Sequence, residues 1–361
     1  MGKSAVKGLF YICLIAATFV LATITIMAAF SGNVAPVDSV IMPLLGLAVP
    51  VLLIVNLITA LCWALARKRW ALVPLVAFFC NWGYLTSVFQ LHLPKDKTPA
   101  GKYLKIATYN IHNFGGEITG YSCKEIARYM QQEGVDVLCF QEFGDNSDFP
   151  TDSIRRVLSH WSHALIPSED SVKGVLPIAV FSRYPLANHR FITYQHSSNC
   201  SMMCDVVMGT DTIRLINNQP ADTSVSQKRR KWERELATDD TRREVQAAKD
   251  AAGTLHENFM KRATQTYVIS HYAKTSPYPV LLCGDFNSIP SSYTYHHLRK
   301  TLKDGFRTAG NGYMYTYRYA KRMLRIDYIF HSPSLKGIEY YSPDLDLCSD
   351  HNPVIMEVEI Q

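Results

Sequence analysis

Charge is what this 361-residue chain has little of: Asp, Glu, Lys and Arg make up 19% of it, against roughly 25% in an average soluble domain. Acidic residues are scarcest at the start. Residues 1–99 hold two of them, Asp38 and Asp96, against seven Lys/Arg, whereas residues 100–361 hold twenty-nine against thirty. Five of the six net positive charges therefore belong to the first 99 residues. A nearly neutral remainder excludes a polyanion-binding surface spread over the whole protein, and an apolar content of 48% excludes a disordered or fibrous chain. The nine cysteines contain no CxxC pair and no Cys/His zinc spacing. Cys139 and Cys283 sit in apolar runs and read as small core residues, while Cys200 and Cys204 are close enough in sequence for a local disulfide. Repeats and low-complexity segments are absent.

What the first 99 residues do contain is long uncharged runs. Residues 9–30 form one of 22 residues, enough for a hydrocarbon core that takes about 20 helical residues. Residues 40–66 and 71–93 form two more. Three spans are expected, because a helix satisfies its own backbone groups in lipid. The first run exceeds the apolar stretch of a cleaved signal, about 7–15 residues, and no clear A-x-A site follows it. Lys3 and Lys7 precede it, Arg67, Lys68 and Arg69 separate the second and third runs, and the loop between the first two has no Lys or Arg. Positive loops stay cytoplasmic. The expectation is a protein of the plasma (inner) membrane with its N-terminus in the cytoplasm and everything after Leu93 in the extracytoplasmic or periplasmic space. Residues 1–93 are then a membrane domain, 94–102 a linker, and 103–361 one soluble domain.

That domain alternates strands with helices. Apolar strand candidates lie at 104–111, 135–141, 178–181, 205–208, 212–217, 280–283, 325–330 and 354–360. Gly209-Thr210-Asp211 marks a hairpin, and the last strand alternates apolar residues with Glu357 and Glu359, as a half-exposed strand does. Helices are expected at 124–132, 151–160 and about 226–272. The last carries interleaved charges (KRRKWERE, TRREVQ) of a solvated face. The alternating Tyr313, Tyr315, Tyr317 and Tyr319 read as sheet packing before base stacking.

Polar residues collect where the apolar strands stop. Asn110 closes the first, Glu142 follows Val135–Gln141, Asp285 and Asn287 follow Val280–Gly284, Asp327 lies within Arg325–Phe330, and Asp350 and His351 precede the last. Asp and Asn are disfavoured in strands, and burying one unpaired costs several kcal/mol. Together they offer four carboxylates, two amides and one imidazole. Such an oxygen-rich set suits Mg²⁺ or Mn²⁺.

Five segments, TYNI (108–111), FQE (140–142), GDFN (284–287), RIDYI (325–329) and SDH (349–351), resemble in order and spacing the endonuclease/exonuclease/phosphatase superfamily, and FSRYPL (181–186) is similar to one of its structural motifs. The resemblance covers about residues 103–360. It implies a four-layer α/β sandwich, two central sheets flanked by helices, with the site at the sheet edges. It further implies Glu142 as the main metal ligand supported by Asn110 and Asp350, and Asp285 as the group that orients or deprotonates water. Asn287 would position that water, and His351, held by Asp327, would stabilise the phosphoryl charge or move a proton. One segment departs from the pattern. Where the family has Asn-x-His, this chain has Asn217-Asn218-Gln219, and Gln219 can donate a hydrogen bond but carries no charge; a slower enzyme is expected.

The expected function is a divalent-metal-dependent phosphoesterase acting outside the cytoplasm on a lipid, an inositol phosphate or a nucleic acid. A lipid-linked diester fits a membrane-held site. A nuclease acting on external nucleic acid is the alternative, with Lys228–Lys231 and Tyr317–Arg322 as local basic patches, and a catalytically weakened binding domain is a third. The bilayer is a partner through the three apolar runs, and no protein partner is evident.

Overall fold

Both faces of the central strands are apolar, and this dictates a layered arrangement. In strand β2 (Lys102–Asn110), Leu104 and Ile106 point to one core while Ala107 and Tyr109 point to another, and in β3 (Val137–Gln141) Val137 and Cys139 oppose Leu138 and Phe140 in the same way. A strand buried on both sides needs a layer on each. The computed structural model describes residues 3–93, 97, 101–167, 174–195, 197–222 and 241–360.

Two compact units result, Met1–Ser87 together with Ile289–His296, and Val88–Ser288 together with His297–Gln361. The second holds two six-stranded sheets. One has the order β13 (Leu335–Tyr341), β14 (Val354–Ile360), β2, β3, β5 (Ala179–Ser182), β4 (His163–Leu165). The other has β10 (Lys303–Asp304), β12 (Asp327–His331), β9 (Val280–Asp285), β8 (Asp211–Gln219), β7 (Cys200–Met208), β6 (Leu186–Thr193). Among the described strands, β2 with β3 and β8 with β9 run parallel and the other pairs antiparallel. The main core, with Ile106, Cys139, Cys204, Leu215, Cys283 and Met356, lies between the sheets. Helices α5 (Tyr121–Gln132) and α6 (Thr151–Val157) cover the outer face of the first through Ile126, Met130 and Ile154. The long helix α7 (Thr241–Lys274) accompanies the second, with Arg190 of β6 over the Tyr272 ring at 5.3 Å. This is the α/β sandwich expected from the sequence.

Several local expectations change. Cys200 and Cys204 lie four positions apart in one strand, about 13 Å in extended chain, and both thiols are free. Glu357 and Glu359 are not half-exposed. Both are buried, and each carboxylate meets a lysine, Lys97 at 2.5 Å and Lys336 at 2.7 Å. Strands β6 and β13, whose polar residues break the apolar pattern, were not expected. Residues 226–240, with the Lys228–Lys231 patch, and most of the 94–102 linker lie outside the described residues.

In the first unit the first two runs form α1 (Lys3–Ala29) and α2 (Ile41–Leu65), both long and apolar enough to cross a membrane. The third run is not one straight helix. It divides into α3 (Leu72–Cys80) and α4 (Trp82–Val88), bent by 62° at Asn81. Asn81 Nδ2 donates to the carbonyls of Ala77 and Thr25, and Asn56 Nδ2 donates to Thr25 Oγ1 at 2.7 Å, so one residue of α1 ties in both other helices. At one end of the bundle Trp70 Nε1 donates to Tyr11 Oη, with Lys68 over the Tyr11 ring. At the other, Ser31 Oγ donates to the Ser291 carbonyl at 2.9 Å and Ser291 Oγ to the Gly46 carbonyl at 2.8 Å.

Candidate active site

Register places the polar strand ends side by side. In β9 and β12 Asp285 stands opposite Asp327, and in β2 and β3 Asn110 stands opposite Gln141, whose successor is Glu142. The approach of β8 to β9 depends on Gly284. Its φ is +137°, and a Cβ there would fall on the carbonyl oxygen of Asn218. Only glycine fits. Asn287 and Glu142, at the tips of their strands, take left-handed φ of 48° and 50°, conformations that cost energy and gather at functional sites.

Asn110 joins the two sheets chemically. Its Nδ2 donates to Glu142 Oε1 at 3.0 Å and to Asp285 Oδ2 at 3.1 Å, although 175 residues separate Asn110 from Asp285. Asp285 also accepts the Asn287 backbone N–H at 2.9 Å and the Asn287 Nδ2 at 3.3 Å. Gln219 Nε2 donates to Glu142 Oε1 at 3.1 Å, and His112 Nδ1 stands 3.2 Å from Glu142 Oε2. His351 lies between two carboxylates, with Nδ1 3.0 Å from Asp327 Oδ2 and Nε2 3.8 Å from Asp285 Oδ2. Its loop is anchored by Ser349, whose Oγ donates to the Asn110 carbonyl. Asp350 Oδ1 is 3.9 Å from His351 Nε2.

The electrostatics follow from burial and neighbours. Burial pushes the Asp285 carboxyl above its ordinary range, against the pull of His351. Burial alone would depress His351, yet the Asp327 and Asp285 carboxylates raise it to about 10, so the ring is an imidazolium at neutral pH. Burial would likewise raise Glu142, but hydrogen bonds from His112 and Asn110 hold it below its ordinary value. An ionised carboxylate whose side chain is 24% exposed is a hard oxygen donor of the kind a divalent cation takes, and the Asn110 Oδ1 beside it accepts the His112 backbone N–H at 3.1 Å. Ligating atoms of Asp285, Asp327 and His351 also lie within 4.8 Å of one another, but His351 Nδ1 is already engaged by Asp327. These three make a charge cluster; the Glu142 oxygens accept from Asn110 and Gln219 and stand beside His112, and the Asp350 carboxylate is the more open of the two.

Eight of the nine residues singled out in the sequence meet here: Asn110, Glu142, Gln219, Asp285, Asn287, Asp327, Asp350 and His351. Asn217 does not. It is fully buried, donates to the carbonyls of Phe140 and Ala179 at 3.0 and 3.1 Å, and accepts from Gln141 Nε2 at 2.6 Å, bracing one sheet against the other. Two members were not foreseen. His112, two residues beyond Asn110, was detectable only by that position. Tyr317 was noted as part of an aromatic run, and its ring packs edge-on against His351 at 5.3 Å.

Comparison with known proteins agrees with this architecture. No curated protein matches the chain. Residues 9–88 match a family described as a domain of unknown function (DUF8431). Among solved structures, an endonuclease/exonuclease/phosphatase from Beutenbergia cavernae is similar with a TM-score of 0.52 and 16% identity, covering 72% of each chain. One from Bacteroides vulgatus has a TM-score of 0.50 at 16% identity, covering 72% of this chain and all of its own. TDP2 from C. elegans has a TM-score of 0.52 at 15% identity, covering 86% of this chain and 92% of its own. At such identities the likeness is one of fold. Residues 107–247 and 258–351, well over half of the sequence, match the endonuclease/exonuclease/phosphatase family, and the chain belongs to that family.

Proposed function

We propose that this protein is a membrane-anchored, divalent-metal-dependent phosphoesterase whose catalytic residues lie outside the cytoplasm. The observation that carries the reading is the single amide of Asn110 donating to both Glu142 and Asp285, which holds a metal-binding carboxylate beside a proton-accepting one. Asp285, fixed by Asn110 and Asn287 and made more basic by burial, takes the proton of the attacking water. Asn287 directs that water with its side-chain amide. His351, kept cationic by Asp327, presents Nε2 to the developing charge on the phosphoryl oxygens. Gln219 and His112 orient the Glu142 carboxylate. Glu142 with Asn110 and Asp350 would hold a divalent cation, Mg²⁺ or Mn²⁺ by donor type, which would supply Lewis-acid polarisation and stabilisation of the leaving oxygen.

The orientation rests on the basic residues Lys3, Lys7 and Arg67–Arg69, because positive loops stay cytoplasmic and three crossings put the catalytic domain on the other side. A near-neutral domain gives less support to a nuclease, which needs an uncompensated basic face.

The test is hydrolysis of bis(p-nitrophenyl) phosphate and p-nitrophenyl phosphate by the full chain in detergent, with Mg²⁺ or with a chelator. Chelation should abolish turnover, and Asp285→Asn and Glu142→Gln should each lower kcat by about a hundredfold or more, the scale of losing one transition-state contact. Turnover that survives the chelator or both substitutions overturns the reading.

A further inference from the structure

Beside the catalytic cluster lies a cavity of about 520 Å³, lined among others by His112, Arg318, Tyr319, Arg322, Asp346 and Asp350. Two of its lining residues also touch the cluster, His112 at 3.2 Å from Glu142 and Asp350 at 3.9 Å from His351. We propose that this cavity is a subsite for an uncharged, hydroxyl-rich ring, a cyclitol or a sugar, esterified to the scissile phosphate. The proposal rests on the phosphoesterase reading and adds the class of substrate.

Charge balance carries it. Arg318 pairs with Asp346 and lies 3.3 Å from Asp344, and Arg322 lies 3.3 Å from Asp344 as well. Two guanidinium groups are thus matched by two carboxylates, with Asp350 beyond them. A second phosphate, or the backbone of a nucleic acid, would meet those carboxylates along with the cations, whereas polyanion binding needs cations left uncompensated. A ring of hydroxyls needs donors and acceptors side by side. Guanidinium supplies a fixed fork of N–H donors and carboxylate supplies only acceptors. Tyr319, 63% exposed, adds an apolar face for ring C–H groups with a polar tip.

The turn that carries Arg322 is strained. Ala320, Lys321 and Arg322 all take left-handed φ, 50°, 55° and 57°. The turn is braced from below, where Tyr313 Oη donates to the Arg322 carbonyl at 2.9 Å and the Arg322 guanidinium lies 5.6 Å from the Tyr315 ring. A ring substrate could come from a lipid headgroup or from solution, and the shared chemistry is a phosphodiester of a polyol.

Wild type and the variants Tyr319→Ala, Arg322→Met and Arg322→Lys are compared on five substrates. These are bis(p-nitrophenyl) phosphate, glycerophosphoinositol, the methyl phosphodiester of glucose, a single-stranded oligonucleotide, and phosphatidylinositol in phosphatidylcholine vesicles. Wild type should prefer at least one polyol diester to the nitrophenyl diester. Tyr319→Ala and Arg322→Met should lower that preference by about tenfold or more through KM, as expected for lost hydrogen bonds and packing, with Arg322→Lys in between. Preference for the soluble diester or for the vesicle lipid identifies the source, and either supports the subsite. Equal preference across substrates, a higher rate on the oligonucleotide, or variants with unchanged preference overturns it. Failure of wild type on all five substrates instead removes the phosphoesterase reading.

Discussion

His351 is enclosed by opposite charge, and that fixes its protonation. Burial alone would favour the neutral ring, but Asp327 and Asp285 raise its pKa to about 10. Because the shift is upward, the imidazolium is present below that value and is lost as pH rises through it. Asp327→Asn removes the nearer carboxylate, so the folded-state pKa falls. The alkaline limb of kcat/KM should then move to lower pH by about 1–3 units, the usual effect of one adjacent charge. A pH profile at saturating metal checks this, and an unmoved limb would show that Asp327 does not hold the charge. At this scale the sequence told residue type but not depth. Asn217 and Gln219, two apart in β8, share a face of the strand. Gln219 lies about 7 Å further toward the strand tip, which brings it to Glu142, while Asn217 stops between the sheets as a strut. Spacing alone could not separate the two roles.

Elements show the same division. The apolar runs that became β2, β3 and β9 were legible because both of their faces are buried, whereas β14 was legible from its alternation of apolar residues with Glu357 and Glu359, whose burial was not. Strand β6, with a half-open burial pattern, was not, because its place is decided by pairing with β7. The close approach of β8 and β9 is the tightest backbone constraint near the site. Gly284→Ala would set a methyl group against the Asn218 carbonyl, and should destabilise the fold by about 3 kcal/mol or more, as strained and overpacked positions do. Thermal unfolding of the purified full chain measures it; a melting point within a degree of wild type would contradict the geometry. The bend between α3 and α4 was also invisible in hydropathy. A window average registers one Asn in an apolar run as a minor interruption. It cannot register that Asn81 finds the Thr25 carbonyl on α1, which makes a break at that residue favourable.

For the whole molecule, the uneven charge noted at the start acquires a direction. If the third run crosses the membrane as a bent span, an epitope inserted after Asp38 and one added after Gln361 should both be reached by antibody in intact cells. One inserted at Lys68 should be reached only after permeabilisation. A C-terminal epitope that stays hidden would make α3 and α4 a re-entrant segment instead. The sequence by itself determined the apolar runs, the strands with two buried faces, and the carboxylates and amides at their ends, because each is a local pattern of neighbouring residues. Only the tertiary structure decided that Asn110 bridges Glu142 and Asp285, that His112 and Tyr317 join the cluster, that Asn217 leaves it, and that Arg318 and Arg322 line a charge-balanced cavity beside it. Those outcomes depend on partners far apart in the chain, and a hydrogen bond's reach of about 3 Å is set by how sheets and loops pack.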